Sequence, residues 1–142
     1  MKELAYIFVF TGIVSCTSPQ DQTRTADLPA EETTVPYQKL SPKAFEQLCS
    51  ELPDEQLIDV RTPAEYESGH IAEATPIDFH GNRFEQDIAQ LDKAKPVMVY
   101  CQKGGRSSAA AARLQLLGFK EVYELEGGLT GWTEAGKSLS SE

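Results

Sequence analysis

The chain has 142 residues, enough for one domain with a hydrophobic core and too few for a second of similar size. Its formal net charge is −9, which argues against a nucleic-acid groove or an anionic membrane surface as its target. Three cysteines at 16, 49 and 101 are too sparse for a disulfide scaffold, and with two histidines no metal centre is expected.

Residues 1–15 carry one lysine near the start and an apolar run from Leu4 to Ser15. That run is too short for a hydrocarbon core, which needs about 20 residues, and suits the apolar region of a secretory signal. Ile13-Val14-Ser15-Cys16 resembles a bacterial lipoprotein signal, in which the cysteine is lipidated and becomes the first residue. Isoleucine in place of the usual leucine, and Glu3 near the start, depart from that pattern. The alternative is an ordinary signal peptide or an amino-terminal anchor with an incidental cysteine. Residues 17–36 are polar, rich in Thr and Pro, and without apolar period, which reads as a tether spanning on the order of 25 Å. The expected organisation is thus a signal peptide over 1–15, a lipidated Cys16 with a tether to 36, a folded domain over 37–136 and a polar tail over 137–142.

From Tyr37 onward, short apolar runs alternate with helical patterns, predicting an α/β domain with a mainly parallel sheet. Tyr37–Leu40 reads as a strand. Ser41 and Pro42 open a helix whose apolar face carries Phe45, Leu48, Cys49 and Leu52. Leu57–Val60 reads as a buried strand. Thr62 to Glu65 forms a capping box for a short helix that Gly69 ends. Ala74–Asp78 reads as another strand, and Asn82 to Glu85 as a second capping box, with Phe84, Ile88 and Leu91 on one helical face. Pro96–Tyr100 is the most continuous apolar run, as an interior parallel strand should be. A helix over Ser107–Leu117 follows, closed by Gly118. Val122–Leu125 is the last strand, and Gly127-Gly128 begins a helix containing Trp132.

Cys101 therefore falls at the carboxyl end of an interior strand, where open α/β sheets bind ligands. The loop Gln102-Lys103-Gly104-Gly105-Arg106 can curl at its glycines and turn successive N–H groups inward as an anion nest. The helix starting at Arg106 or Ser107 adds its free N–H groups and positive dipole end. Such a field favours thiolate over thiol, and a depression of about two units makes most of the cysteine anionic at neutral pH. The plain alternative is a buried, inert cysteine.

CQKGGRS resembles the Cys-x-x-Gly-x-Arg-Ser active-site pattern of single-domain rhodaneses, the thiosulfate sulfurtransferases. LIDVRTPAEYESGHI and YELEGGLTGW are similar to that family's Asp-Val-Arg…Gly-His-Ile and Leu-x-Gly-Gly…Trp segments, in the same order. Glu73 departs from the pattern, standing where the family often has glycine.

The resemblance implies a rhodanese-like three-layer domain with a central, mainly parallel five-stranded sheet flanked by helices. It also implies a sulfurtransferase without cofactor, in which Cys101 takes sulfur from a small anionic donor and passes the persulfide sulfur to cyanide, a thiol or a protein acceptor. No dedicated general base is then required. Lys103 either attracts the donor or is a solvated lysine. Arg106 either binds the donor or braces the loop through Asp59. Ser107 offers its hydroxyl to the anion, caps the helix, or does both. Asp59 and Arg61 read as a pair behind the site, because a carboxylate facing the sulfur would oppose its ionisation. Glu65 reads as a capping residue, His70 as a structural hydrogen bonder, Trp132 and Cys49 as packing residues, and His80 carries no clear signal.

Three rivals differ at identifiable points. Cysteine phosphatases and arsenate reductases generally carry Cys-x5-Arg, one residue longer than the interval from Cys101 to Arg106. A non-catalytic binding module usually loses the cysteine or the loop glycine, and both are kept here. A persulfide carrier shares the intermediate and differs only in its acceptor. With a lipid on Cys16, the domain would face the periplasm from the cell envelope.

Overall fold

The computed structural model describes residues 37–141; the expected signal peptide, Cys16 and the tether lie outside the described residues. Among the described residues five strands and five helices alternate: β1 (Tyr37–Leu40), α1 (Pro42–Glu51), β2 (Gln56–Asp59), α2 (Pro63–Glu67), β3 (Thr75–Pro76), α3 (Phe84–Ala89), β4 (Val97–Tyr100), α4 (Gly105–Leu116), β5 (Val122–Leu125) and α5 (Gly128–Glu134). The sheet order is β1-β5-β4-β2-β3, and every pairing is parallel.

The apolar runs explain the layers. All four residues of β4 are buried, and they alternate between two cores. Val97 and Val99 join Ile88 of α3 and Ala110, Ala111 and Leu114 of α4, whereas Met98 and Tyr100 join Phe45 of α1 and Leu129 and Trp132 of α5. The small alanines let α4 approach the sheet closely. On the other face Phe45 and Trp132 meet edge to face, with ring centroids 6.4 Å apart. Burying a side chain such as Phe45 contributes about 1.5–3 kcal/mol. Cys49 packs with the second core and Cys101 with the first, so the sheet separates the two thiols.

Some boundaries move for local reasons. β2 runs one residue earlier than expected. β3 shrinks to two residues, since Pro76 supplies no N–H to a ladder. The capping box expected over Asn82–Glu85 does not form: Arg83 precedes α3 without a side-chain cap. The chain enters that helix from a turn instead, in which the Gly81 N–H donates to Asp78 O at 3.0 Å and the Phe84 N–H to Gly81 O at 3.2 Å. Thr62, by contrast, makes its full capping box with Glu65. Glu73 takes a φ of 67°, in the left-handed region that favours glycine. It sits in the turn closed by the Ala74 N–H on Ile71 O at 3.1 Å. The departure at that position is therefore a strained residue on a glycine backbone.

The polar tail is not free. His70 and Ser140 exchange both backbone hydrogen bonds, at 2.9 and 2.7 Å, and the Trp132 indole N–H donates to Ser138 O at 3.0 Å. Lys137 lies 5.2 Å over the Trp132 ring and pairs with Glu46 of α1.

Candidate active site

Cys101 follows β4 directly, at the centre of the sheet's carboxyl edge, where the crossovers diverge to β5 on one side and β2 on the other. It is 2% exposed. The loop that follows is tighter than the sequence suggests, because α4 begins at Gly105 rather than at Arg106 or Ser107. Gly104 is the residue before the helix, and its φ of 110° turns its own N–H onto the Cys101 Sγ at 3.0 Å. Gly105 sits in ordinary helical backbone with open space where a Cβ would be, so of the two loop glycines Gly104 alone uses its freedom.

Ser107 does not cap α4; it lies in the first turn, where its backbone N–H has no partner within the helix. Its hydroxyl oxygen is 3.4 Å from the Cys101 Sγ. Burial opposes ionisation of Cys101. The Ser107 hydroxyl and the N–H groups of Ser107, Gly104 and Lys103 act against burial and hold the thiol below its ordinary value. The Lys103 side chain is exposed and makes no ion pair among the described residues.

The underside of the loop rests on α5. The Leu129 N–H donates to Cys101 O at 2.9 Å and the Thr130 N–H to Gln102 O at 3.1 Å. Gln102 is held again from the side, with its Oε1 accepting from Arg61 at 3.3 Å.

Arg61 and Asp59 pair as the sequence suggests, through contacts of 2.7 and 3.0 Å with both carboxylate oxygens, and both are buried. The Arg61 guanidinium also donates to Gly69 O at 2.7 Å. Arg106, in contrast, does not reach Asp59. Its two terminal nitrogens grip Glu65 of α2, each at 2.7 Å, because Asp59 is already occupied by Arg61 while the capping position of Glu65 aims its carboxylate at the loop. His70 stacks on Tyr66 with ring centroids 3.8 Å apart, and its Nδ1 lies 3.1 Å from Tyr66 O.

A buried thiol ringed by main-chain donors, at the carboxyl edge of a parallel sheet, invites comparison with known proteins. Residues 41–135 match the family described as the rhodanese-like domain. The chain belongs to the rhodanese-like domain family. A stretch of 77 residues is 43% identical to YqhL of Bacillus subtilis, spanning 60% of that protein, less than two thirds of its length. The thiosulfate sulfurtransferase GlpE of Pseudomonas syringae is 40% identical over 76 residues, covering 54% of this chain and 70% of that protein. Among solved structures, the polysulfide-sulfur transferase homodimer of Wolinella succinogenes has a TM-score of 0.62 at 36% identity, covering 72% of this chain and 77% of that one.

In this rhodanese-like domain two features escaped the sequence reading. The first is Glu65 as partner of Arg106, legible only as a capping residue. The Arg106 guanidinium draws the Glu65 carboxyl down to about 2 from an ordinary 4.5, against a smaller opposing effect of burial. A depressed folded-state value means that the stabilisation is complete above the unfolded value and disappears as pH falls toward about 2. Glu65→Gln should therefore lower the denaturant midpoint at pH 7 and match the wild type near pH 2, checked by urea titrations at pH 7, 4 and 2.

The second is Glu124, which the sequence presented only as a polar residue in the last strand. It is fully buried, and its Oε1 accepts from both Ser107 and Ser108 at 2.8 Å. Its other oxygen accepts from the Tyr37 hydroxyl and lies 3.6 Å from the Lys39 Nζ. A charged residue in a four-residue strand of the pattern VYEL was the available signal.

Proposed function

We propose that this domain is a thiosulfate sulfurtransferase whose nucleophile is the Cys101 thiolate. The single observation that carries the reading is the cluster of loop donors on a buried sulfur, with the Gly104 N–H at 3.0 Å. The name of the GlpE relative supports thiosulfate as donor, and that of the Wolinella protein supports polysulfide as a related one.

The thiolate attacks the outer sulfur of thiosulfate. A new S–S bond forms as the bond to the sulfonate sulfur breaks, and sulfite leaves with that bond's electron pair. The product is a Cys101 persulfide anion, and the N–H groups of residues 103, 104 and 107 surround the space in which its charge develops. Cyanide or a thiolate then attacks the terminal sulfur and returns Cys101 to the thiolate. Two half-reactions through a covalent intermediate require ping-pong kinetics. Gln102, Gly104, Gly105 and Ser107 shape the donor subsite, Lys103 attracts the dianion at its mouth, and Arg106 braces the loop through Glu65. At the cell envelope, with Cys16 as lipid anchor, this chemistry would serve periplasmic sulfur compounds; Ile13-Val14-Ser15-Cys16 supports that placement.

The test uses purified protein with thiosulfate and cyanide. Parallel double-reciprocal lines, and one added sulfur on the Cys101 peptide after thiosulfate alone, are expected. A persulfide that cyanide cannot discharge but a protein thiol can would reassign the domain as a sulfur carrier. No added sulfur on that peptide would refute both.

A further inference from the structure

Glu124 stands one hydroxyl away from the nucleophile and has no part in the sulfur-transfer steps. The Ser107 oxygen lies 2.8 Å from Glu124 Oε1, 3.1 Å from Gly104 O and 3.4 Å from Cys101 Sγ. All three neighbours can accept a hydrogen bond, yet a serine hydroxyl has a single proton. An ionised carboxylate at the shortest distance takes it, as charge-assisted hydrogen bonds outcompete neutral ones. The carboxylate then competes with the sulfur for that one proton, so the hydroxyl lowers the thiol less than it would without this rival. The carboxylate charge, buried on the far side of the hydroxyl, also opposes a second anion at Cys101.

That carboxylate has further partners. Tyr37 and Ser108 donate to it, and Lys39 supplies a cation. The Tyr37 phenol is itself pushed up to about 12, by burial and then by Glu124, so it remains a donor at working pH. The two nearby arginines are committed elsewhere, Arg106 to Glu65 of α2 and Arg61 to Asp59 of β2, while the Lys103 side chain of the loop is exposed. From α5 the loop receives backbone amides.

We propose that Glu124 is a positioning residue for the nucleophile: by holding the single hydroxyl proton of Ser107 it restrains ionisation of Cys101. The inference rests on Cys101 being the nucleophile. When Glu124 is neutral, the Ser107 proton turns wholly to the sulfur and strengthens the donation that the amides share. The nest favours the thiolate, and Glu124 sets how far that preference goes. This device needs the carboxylate of β5 and the thiol after β4 both within reach of the α4 hydroxyl, and the parallel register that sets Glu124 opposite Val99 brings them there.

The test is the rate of alkylation of the Cys101 peptide by iodoacetamide as a function of pH, followed by mass spectrometry in the full-length protein. Glu124→Gln keeps the side-chain shape and offers an amide N–H to Ser107. It should shift the ionisation midpoint down by about one unit, so that alkylation below the midpoint is about tenfold faster. In a Ser107→Ala background the same replacement should give a distinctly smaller shift, and circular dichroism should show all three variants folded. A midpoint that stays put or rises in Glu124→Gln would overturn the proposal. An equal shift with and without the Ser107 hydroxyl would also overturn it, because Glu124 would then act only as a distant charge. If Glu124→Gln does not fold, Ser107→Ala alone decides. A midpoint raised by a unit or more would mean that the hydroxyl proton already serves the sulfur, against the proposal; a midpoint near that of the wild type supports it. Alkylation reads the thiol directly, so a failure of sulfur transfer would leave this result standing and count only against the proposed activity.

Discussion

Replacing Cys101 by serine is expected to abolish sulfur transfer while leaving the fold in place. The hydroxyl of serine stays neutral at working pH, and the loop amides can hold an anion only where the nucleophile ionises. Losing a covalent nucleophile typically costs at least about 10³-fold in kcat, so turnover with thiosulfate and cyanide should fall below detection. Stability should change by no more than about 1 kcal/mol. The serine oxygen would replace a sulfur that already accepts the Gly104 N–H at 3.0 Å, so no buried polar atom is stranded. Steady-state kinetics and thermal melts of the two proteins check both halves. Sulfite release by Cys101→Ser at wild-type rates would place the nucleophile elsewhere. Cys49 is a poor substitute: burial and then Glu55 push its thiol up to about 12, and it lies in the opposite core.

What could be seen in advance followed from local chemistry. Strand β5 occupies the expected residues, and β4 begins one residue after its predicted start; for β4 the reason is a continuous apolar run that can be buried on both faces of a sheet. Ser41 with Pro42, and Thr62 with Glu65, name their helices because the capping atoms are neighbours in sequence. The thiol loop was legible for the same reason: its donors fall between residues 103 and 107, within six residues of Cys101. The contacts that escaped join residues far apart in the chain. Arg106 and Glu65 are 41 positions apart and Tyr37 and Glu124 are 87 apart, and neither separation leaves a periodic trace. Arg106 illustrates the difficulty. Asp59 was a reasonable partner by charge, but Arg61 on the same strand end fills both its oxygens, which only the folded geometry reveals. The tail over 137–142 was legible only as polar; its contacts, a backbone bridge at Ser140 and the Trp132 indole on Ser138, again join residues that composition does not connect.

Gly128→Ala should be the most damaging single methyl in the domain. Gly128 has a φ of 56°, and a Cβ there would stand 2.4 Å from Cys101 O, 2.7 Å from Gln102 C and 2.8 Å from Gln102 O. All three are backbone atoms of the active-site loop, so no side chain can rotate aside. The left-handed backbone alone costs a residue with a Cβ about 1–2 kcal/mol. Relieving the overlap means lifting α5 from the loop, which weakens the amide contacts of Leu129 and Thr130, each worth about 0.5–1.5 kcal/mol. A total loss of about 2–5 kcal/mol corresponds to a fall of roughly 10–25 °C in Tm for a domain of this size. Activity should suffer beyond stability, because the same carbonyls fix where the Cys101 sulfur points, and a displacement of about 1 Å can cost about 10²-fold. Gly105→Ala is the matched control: no atom lies within 4 Å of the added methyl and the backbone is helical, so Tm should hold or rise slightly. Melting curves for the two variants beside the wild type decide the matter. If Gly128→Ala melts within about 3 °C of the wild type, then α5 does not press on the loop, and other contacts fix the position of the Cys101 sulfur.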